Sequence, residues 1–183
     1  MNNTNGRIAL RSRMKMVNAL FSLMEQYSFD EITVTQIAQE SGLSRKTFYR
    51  LFSSKEKILI YQYDLWFKEI LARIKDEKLH SYWDVVQCFF DFCEQHKDLL
   101  ALLKRRQVLS MFFEYIEDNS ITVFEYVHSK ETAHNYSVPM PYLLAYSVGG
   151  MFSMLVKWVE NDMDVESTEL LKIIKAGYMS PRL

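Results

Sequence analysis

The sequence predicts an all-α protein, and three observations carry that reading. Nearly half of the 183 residues are apolar, enough for a sizeable buried core. All three prolines, Pro139, Pro141 and Pro181, fall in the last quarter, so nothing interrupts a helix before them. Apolar residues recur at spacings of three and four along most of the chain, which suits about nine helices. They divide into a head over residues 1–56 and a helical body over residues 57–183.

The elements follow in order. Val17, Leu20, Phe21, Met24 and Tyr27 form one apolar face of a first helix, about Arg7 to Tyr27, while Arg7, Arg11 and Lys15 line another side. Thr33 then caps a second helix, and Gln36, three residues on, completes a capping box. Ile37 and Ala38 face inward, and Ser41-Gly42 stops the helix where glycine accepts a left-handed turn. Leu43 packs into the corner, and Ser44 caps a third helix running to Phe52. Ser53 and Glu56 read as another capping box, opening a fourth helix to about Asp76. Further helices are expected over about 82–95, 98–103, 106–128, 141–162 and 167–176, with a loop over 129–141. Pro141 suits a first helical turn.

Two short helices joined by a tight glycine turn, packed on a preceding helix, describe a helix-turn-helix. The third helix has two faces. Phe48 and Phe52, four apart, can pack inward, whereas Lys46 and Arg50, also four apart, project from the opposite side. Arg45 lies in the first turn, the end that reaches base edges in the major groove, where Arg and Lys donate to guanine. Thr33, Thr35, Thr47 and Tyr49 offer hydroxyls for phosphates, and Lys55 stands ready to clamp a flanking one. Charge agrees with this division. Residues 1–57 carry nine Lys/Arg against five Asp/Glu, while residues 58–183 carry thirteen against eighteen. A basic head on an acidic body suits a head that meets a polyanion.

At this point the stretch "FDEITVTQIAQESGLSRKTFYRLFSSKEKIL" resembles the TetR (tetracycline-repressor) type of bacterial transcriptional regulators. The resemblance rests on Thr33, Ile37-Ala38, Gly42, Ser44, Thr47-Phe48-Tyr49, Phe52 and Lys55, and covers about residues 10–60. More loosely, "SVGGMFSMLVKWVENDMDVESTELLKII" resembles the last two helices of many members. The resemblance implies a three-helix DNA-binding head on an all-α body that dimerises and often binds a small molecule. It assigns groove contacts to Arg45 and Lys46, and phosphate contacts to Thr33, Thr35, Thr47, Tyr49 and Lys55. Arg50 rests on helix geometry alone.

In the body, Ala145, Gly149 and Ser153 recur at i, i+4 and i+8, a small-residue stripe that lets another helix approach closely. Tyr146, Met154 and Trp158 lie around it. The helix is almost uncharged, which favours a twofold interface with a second copy over packing within the chain. A homodimer also suits a palindromic operator on double-stranded DNA, since two heads read two half-sites. Twenty of the 26 aromatics lie beyond residue 57. Such side chains make apolar pockets as well as ordinary core, and both readings stand open. Trp66, Phe90, Phe112 and Tyr115 are the candidate pocket lining.

The expected function is a sequence-specific DNA-binding regulator, a repressor released by a small apolar or aromatic effector. Control by a partner protein, or activation in place of repression, is the alternative. An enzyme is a remote one. The four histidines are scattered, and Cys88 and Cys93 lack the short spacing of a zinc or redox pair, so neither metal nor cofactor is expected. Cysteine usage and the lack of a signal-peptide core suit a reducing cytoplasm. The uncharged run from Tyr142 to Val156 reads as too short for a membrane span.

Overall fold

The computed structural model describes residues 3–128 and 139–179, and among them it contains nine helices and no strand. The head comprises α1 (Asn3–Gln26), α2 (Val34–Glu40) and α3 (Arg45–Leu51). The body comprises α4 (Glu56–Asp76), α5 (Tyr82–Gln95), α6 (Lys97–Arg105), α7 (Leu109–Val127), α8 (Met140–Glu160) and α9 (Ser167–Met179). Most of the loop expected over residues 129–141, with His134, lies outside the described residues.

Met16, Val17, Leu20, Phe21 and Met24 of α1 are buried, and Phe29, Ile37 and Phe48 close the head core over them. Tyr27 departs from expectation and is 42% exposed. The helix ends at Gln26, so Tyr27 leaves the apolar stripe and Phe29 takes the inward place. The Thr33 cap forms as predicted. Gln36 N–H donates to Thr33 Oγ1 at 3.2 Å, and Thr33 N–H donates to Gln36 Oε1 at 2.8 Å. Gly42 sits at φ +66°, where an L side chain is strained. Leu43 N–H then reaches Ala38 O at 2.9 Å and Gly42 N–H reaches Gln39 O at 3.0 Å, closing α2 in a Schellman turn.

The capping box expected from Ser53 and Glu56 does not form. Lys55 occupies the cap position of α4 in helical conformation and makes no side-chain cap, while Ser54 hydrogen-bonds the Glu56 carboxylate. Lys55 turns the other way. Its Nζ donates to the carbonyls of Phe29, Asp30 and Ile32 at 2.6, 2.9 and 3.0 Å, and lies 4.7 Å from the centre of the Phe29 ring. An ammonium has three protons, so all its donors are spent on the α1–α2 corner. Lys55 therefore fastens the head to the body and is not poised to clamp a phosphate.

A second fastening comes from α6. Arg106 donates through Nε to Met24 O and through Nη2 to Glu25 O at 2.7 Å, satisfying carbonyls left open at the end of α1. Arg105 pairs with Glu25 at 2.6 Å. In the body, Tyr63, Trp66, Phe92 and Phe112 build one aromatic core, with Trp66 and Phe112 edge to face at 5.5 Å. Trp158 joins it from α8. It is 2% exposed, lies 5.9 Å from Phe90, and donates Nε1–H to Val165 O at 2.9 Å. It therefore belongs to the protomer core and not to an outer interface. Helix α8 is longer than its uncharged run suggested. At 21 residues it is long and apolar enough to cross a bilayer, and most of it is not buried within the chain.

Replacing Lys55 by Met leaves three carbonyls of the corner without their charged donor. The expected cost is about 1.5–3 kcal/mol, the range for hydrogen bonds to charged groups. Lys57→Met, on an exposed residue with no partner, should stay within about 0.5 kcal/mol. Urea unfolding midpoints of the two variants check this.

Candidate nucleic-acid interface

The candidate surface is built on α3, seven residues long and held from both ends. Ser44 Oγ accepts from Thr47 N–H at 3.1 Å, and Phe52 N–H closes on Phe48 O at 2.8 Å. Phe48 is fully buried and lies 6.3 Å from Phe52, which is 6% exposed, so the helix is anchored by the expected pair. That anchoring sets the rotation of the helix. Arg45, Lys46 and Arg50 emerge on its exposed side, and none of the three makes a hydrogen bond or ion pair within the chain.

The hydroxyl groups divide into two kinds. Thr35 is exposed with its hydroxyl unengaged, and Tyr49 is 55% exposed with its ring edge-on to Phe48 at 5.3 Å. Thr33 and the half-buried Thr47 are occupied in the caps, Thr33 with Gln36 and Thr47 with Ser44 at 3.0 Å. The caps consume the N–H groups of Gln36 and Thr47. Those of Val34, Thr35, Arg45 and Lys46, in the first turns of α2 and α3, have no intrahelical acceptor and face outward.

Charge separates in the same sense. None of the nine lysines and arginines of residues 1–57 forms an ion pair among the described residues. In the body, Lys68, Arg73, Lys104, Arg105, Lys157 and Lys172 all hold carboxylates. The head thus presents unneutralised cations, whereas six of the body's thirteen hold carboxylates, Arg105 among them reaching Glu25 of α1.

A second candidate site lies in the body. A cavity of about 330 Å³ opens between α4, α5, α7 and α8. Phe67 and Ile70, Trp83 and Phe89, Val123 and Phe124, and Leu144 form much of its wall. Ser120, Ser147 and His128 bring polar atoms to it, and no Asp, Glu, Lys or Arg is among the described lining residues. Trp66, Phe90, Phe112 and Tyr115, the residues expected to line a pocket, do not line this one. Trp66, Phe90 and Phe112 are 3% exposed or less and pack against one another's helices as solid core. The Tyr115 hydroxyl donates to Asp64 at 3.2 Å, and burial with the nearby Asp64 charge pushes the phenol up to about 12. The lining residues are often their sequence neighbours, Phe67 beside Trp66 and Phe89 beside Phe90, one helical step around. Aromatic residues on both faces of these helices concealed which face stays open.

Of the residues expected at a dimer interface, Ala145, Tyr146 and Ser153 are exposed, and Gly149 and Met154 half-buried. Tyr142 and Tyr146 are 78% and 65% exposed, and Ile173 of α9 is 50% exposed. Between α8 and α9 runs an open groove of about 770 Å³ bordered by Ala145, Gly149, Gly150 and Gly177.

Residues 17–61 match the family described as bacterial regulatory proteins, tetR family, and residues 82–176 match the transcriptional regulator C-terminal region. The fold is similar to the crystal structure of a TetR transcriptional regulator from Streptococcus agalactiae 2603V. The TM-score is 0.64 at 20% identity, over 93% of this chain and 94% of that one. No curated protein matches the chain. With a helix-turn-helix head whose cations stand unpaired, and both head and body matched, the chain belongs to the TetR family of DNA-binding transcriptional regulators.

Proposed function

We propose that the protein acts as a cytoplasmic homodimeric repressor that reads a palindromic operator and is released by a small apolar effector. One observation carries the reading. The exposed side of α3 presents Arg45, Lys46 and Arg50 without any partner in the protein, Lys46 and Arg50 directly opposite a buried Phe48 that fixes their direction and Arg45 in the first turn. Arg45 and Lys46 enter the major groove and contact base edges, with Arg50 one turn further along. Thr35, Tyr49 and the open amides of the α2 and α3 N-termini hold phosphates, joined by Thr33 and Thr47 through their remaining lone pairs and protons. Lys55 drops out of the phosphate set because its donors are spent.

The apolar outer face of α8, with Ile173 of α9, supports a second copy as its cover. Tyrosines this exposed beside a glycine-lined groove leave a patch that an isolated soluble chain rarely tolerates. Burial in a twofold interface also accounts for a helix of membrane-like hydropathy in a DNA-binding protein. Two copies place two heads on successive half-sites, whose centres lie about 34–36 Å apart.

The cavity supplies the effector site. Its lining lacks side-chain charge, so it suits a neutral, largely apolar molecule with a polar group for Ser120 or Ser147. Phe67 and Ile70 belong to α4, whose other end is locked to the head by Lys55. A ligand that binds better when α4 is displaced from α7 therefore changes the spacing of the heads.

Lys46→Ala should lose about 1–3 kcal/mol of operator affinity and relax base preference, checked by selecting genomic fragments with wild type and variant side by side. Equal enrichment by both would overturn the assignment of the α3 face. A Cβ built on Gly149 meets nothing within 4 Å in the single chain. Gly149→Leu should therefore leave the protomer folded, gaining helix propensity, while its bulk weakens the dimer. Sedimentation equilibrium and a thermal melt of the same sample separate the two effects. A thermal-shift screen of neutral hydrophobic compounds should yield stabilising hits that Ser120→Phe abolishes. A silent screen would favour control by a partner protein.

A further inference from the structure

The first 24 residues hold four cations, Arg7, Arg11, Arg13 and Lys15, and no carboxylate before Glu25. None of them belongs to the helix-turn-helix contacts described above. Helix α1 begins at Asn3, thirteen residues or about 20 Å before Met16, the first residue buried in the head core. The match to the family's DNA-binding region starts later still, at residue 17. The early turns are not packed as core, since Ile8 and Leu10 are 56% and 51% exposed.

These turns are electrostatically ill-suited to a helix standing alone. Arg7, Arg11 and Lys15 follow at i, i+4 and i+8, where like charges repel. The first turn of α1 has no acidic residue to complement the helix dipole. All three cations are exposed and form no hydrogen bond or ion pair. Their place in the fold is set by Arg13, whose guanidinium lies 5.7 Å over the Tyr61 ring. Arg13 shares a cleft with Leu51, Phe52 and Lys57, at the last turn of α3 and the first of α4. The same cleft holds Tyr61, Asp64 and Tyr115 of the body, so the extension runs past the junction of α3 and α4, beside the end of α3 that carries Arg50.

We propose that Arg7, Arg11 and Lys15 form a second, sequence-independent contact to the phosphate backbone of duplex DNA, flanking the groove that α3 enters. The proposal rests on the head being the DNA-binding part. Phosphates would relieve the repulsion along the stripe, and each cation so engaged releases a condensed counterion.

The test measures binding to a random-sequence duplex and to an operator fragment over a salt series, by fluorescence anisotropy. Wild type is compared with the triple variant R7A/R11A/K15A. The slope of log K against log salt should become shallower by about 0.9 for each phosphate lost, up to about 2.7 for each protomer bound and about 5.4 for a dimer. Affinity should fall by the same factor on both DNAs, leaving the ratio between them intact. A second variant separates charge from structure. Arg11→Glu creates i, i+4 pairs with both Arg7 and Lys15, so it should raise the melting temperature while weakening DNA binding. An unchanged slope in the triple variant, or wild-type binding by Arg11→Glu, would overturn the proposal while leaving the head intact as reader. Failure of wild type to retain either DNA would instead remove the reading on which both rest.

Discussion

The architecture depends on one ammonium group. Lys55 gives its three protons to the carbonyls of Phe29, Asp30 and Ile32, in the turn where α1 hands over to α2. That turn pairs only Phe29 O within its own backbone, with Ile32 N–H at 3.3 Å, and leaving the part-buried Ile32 carbonyl without a donor would be costly. A lysine from the start of α4 resolves this, and in doing so joins the reading head to the body. Arg106, arriving from α6, satisfies the last carbonyls of α1 by the same logic. The end of α1 is therefore gripped from two directions by residues of the body. Any movement of α4 or α6 must carry this corner with it or break charged hydrogen bonds.

Much of the head was legible because its signals are local. A capping box, a glycine at a left-handed position and a serine cap act within a few residues, so spacing alone located α2 and α3. Lys55 shows where that legibility ended. Its place one residue before α4 suggested a phosphate clamp, whereas its partners lie 23 to 26 residues away. No local pattern reports a bond of that span. Among the body ends, the stop of α4 at Asp76 was legible, whereas α6 runs on to Arg105 and α8 stops at Glu160, each two residues from the expected end. These two helices turn off at Gln107 and Asp162 with positive φ and without glycine, so no residue type marked their stops.

The cavity illustrates a different limit. Helical periodicity separates apolar from polar faces, but α4 and α5 carry aromatics on more than one face. Trp66 and Phe90 became solid core, while Phe67 and Phe89 border the open space. The distinction depends on how far α7 and α8 stand from α4 and α5, a tertiary distance that sequence spacing does not encode. Trp158 shows the same limit, since its indole turned inward to Val165 while Tyr142 and Tyr146 of the same helix remain outside.

The unpaired cations of the head have a consequence for acidity. Every one is a lysine or arginine. No histidine occurs before His80, and all four histidines lie in the body. Glu31 and Glu56 are held below the usual carboxylate range, Glu31 chiefly by hydrogen bonds from Ser28, and Glu56, against the upward pull of burial, by those from Ser54 and its own backbone. Burial lowers the pKa of His96, wedged at the end of α5 against Trp66 and Phe92, so protonation there opposes the packed body. A titrating ring is thus built into the packing of the body, and the head has no histidine at all.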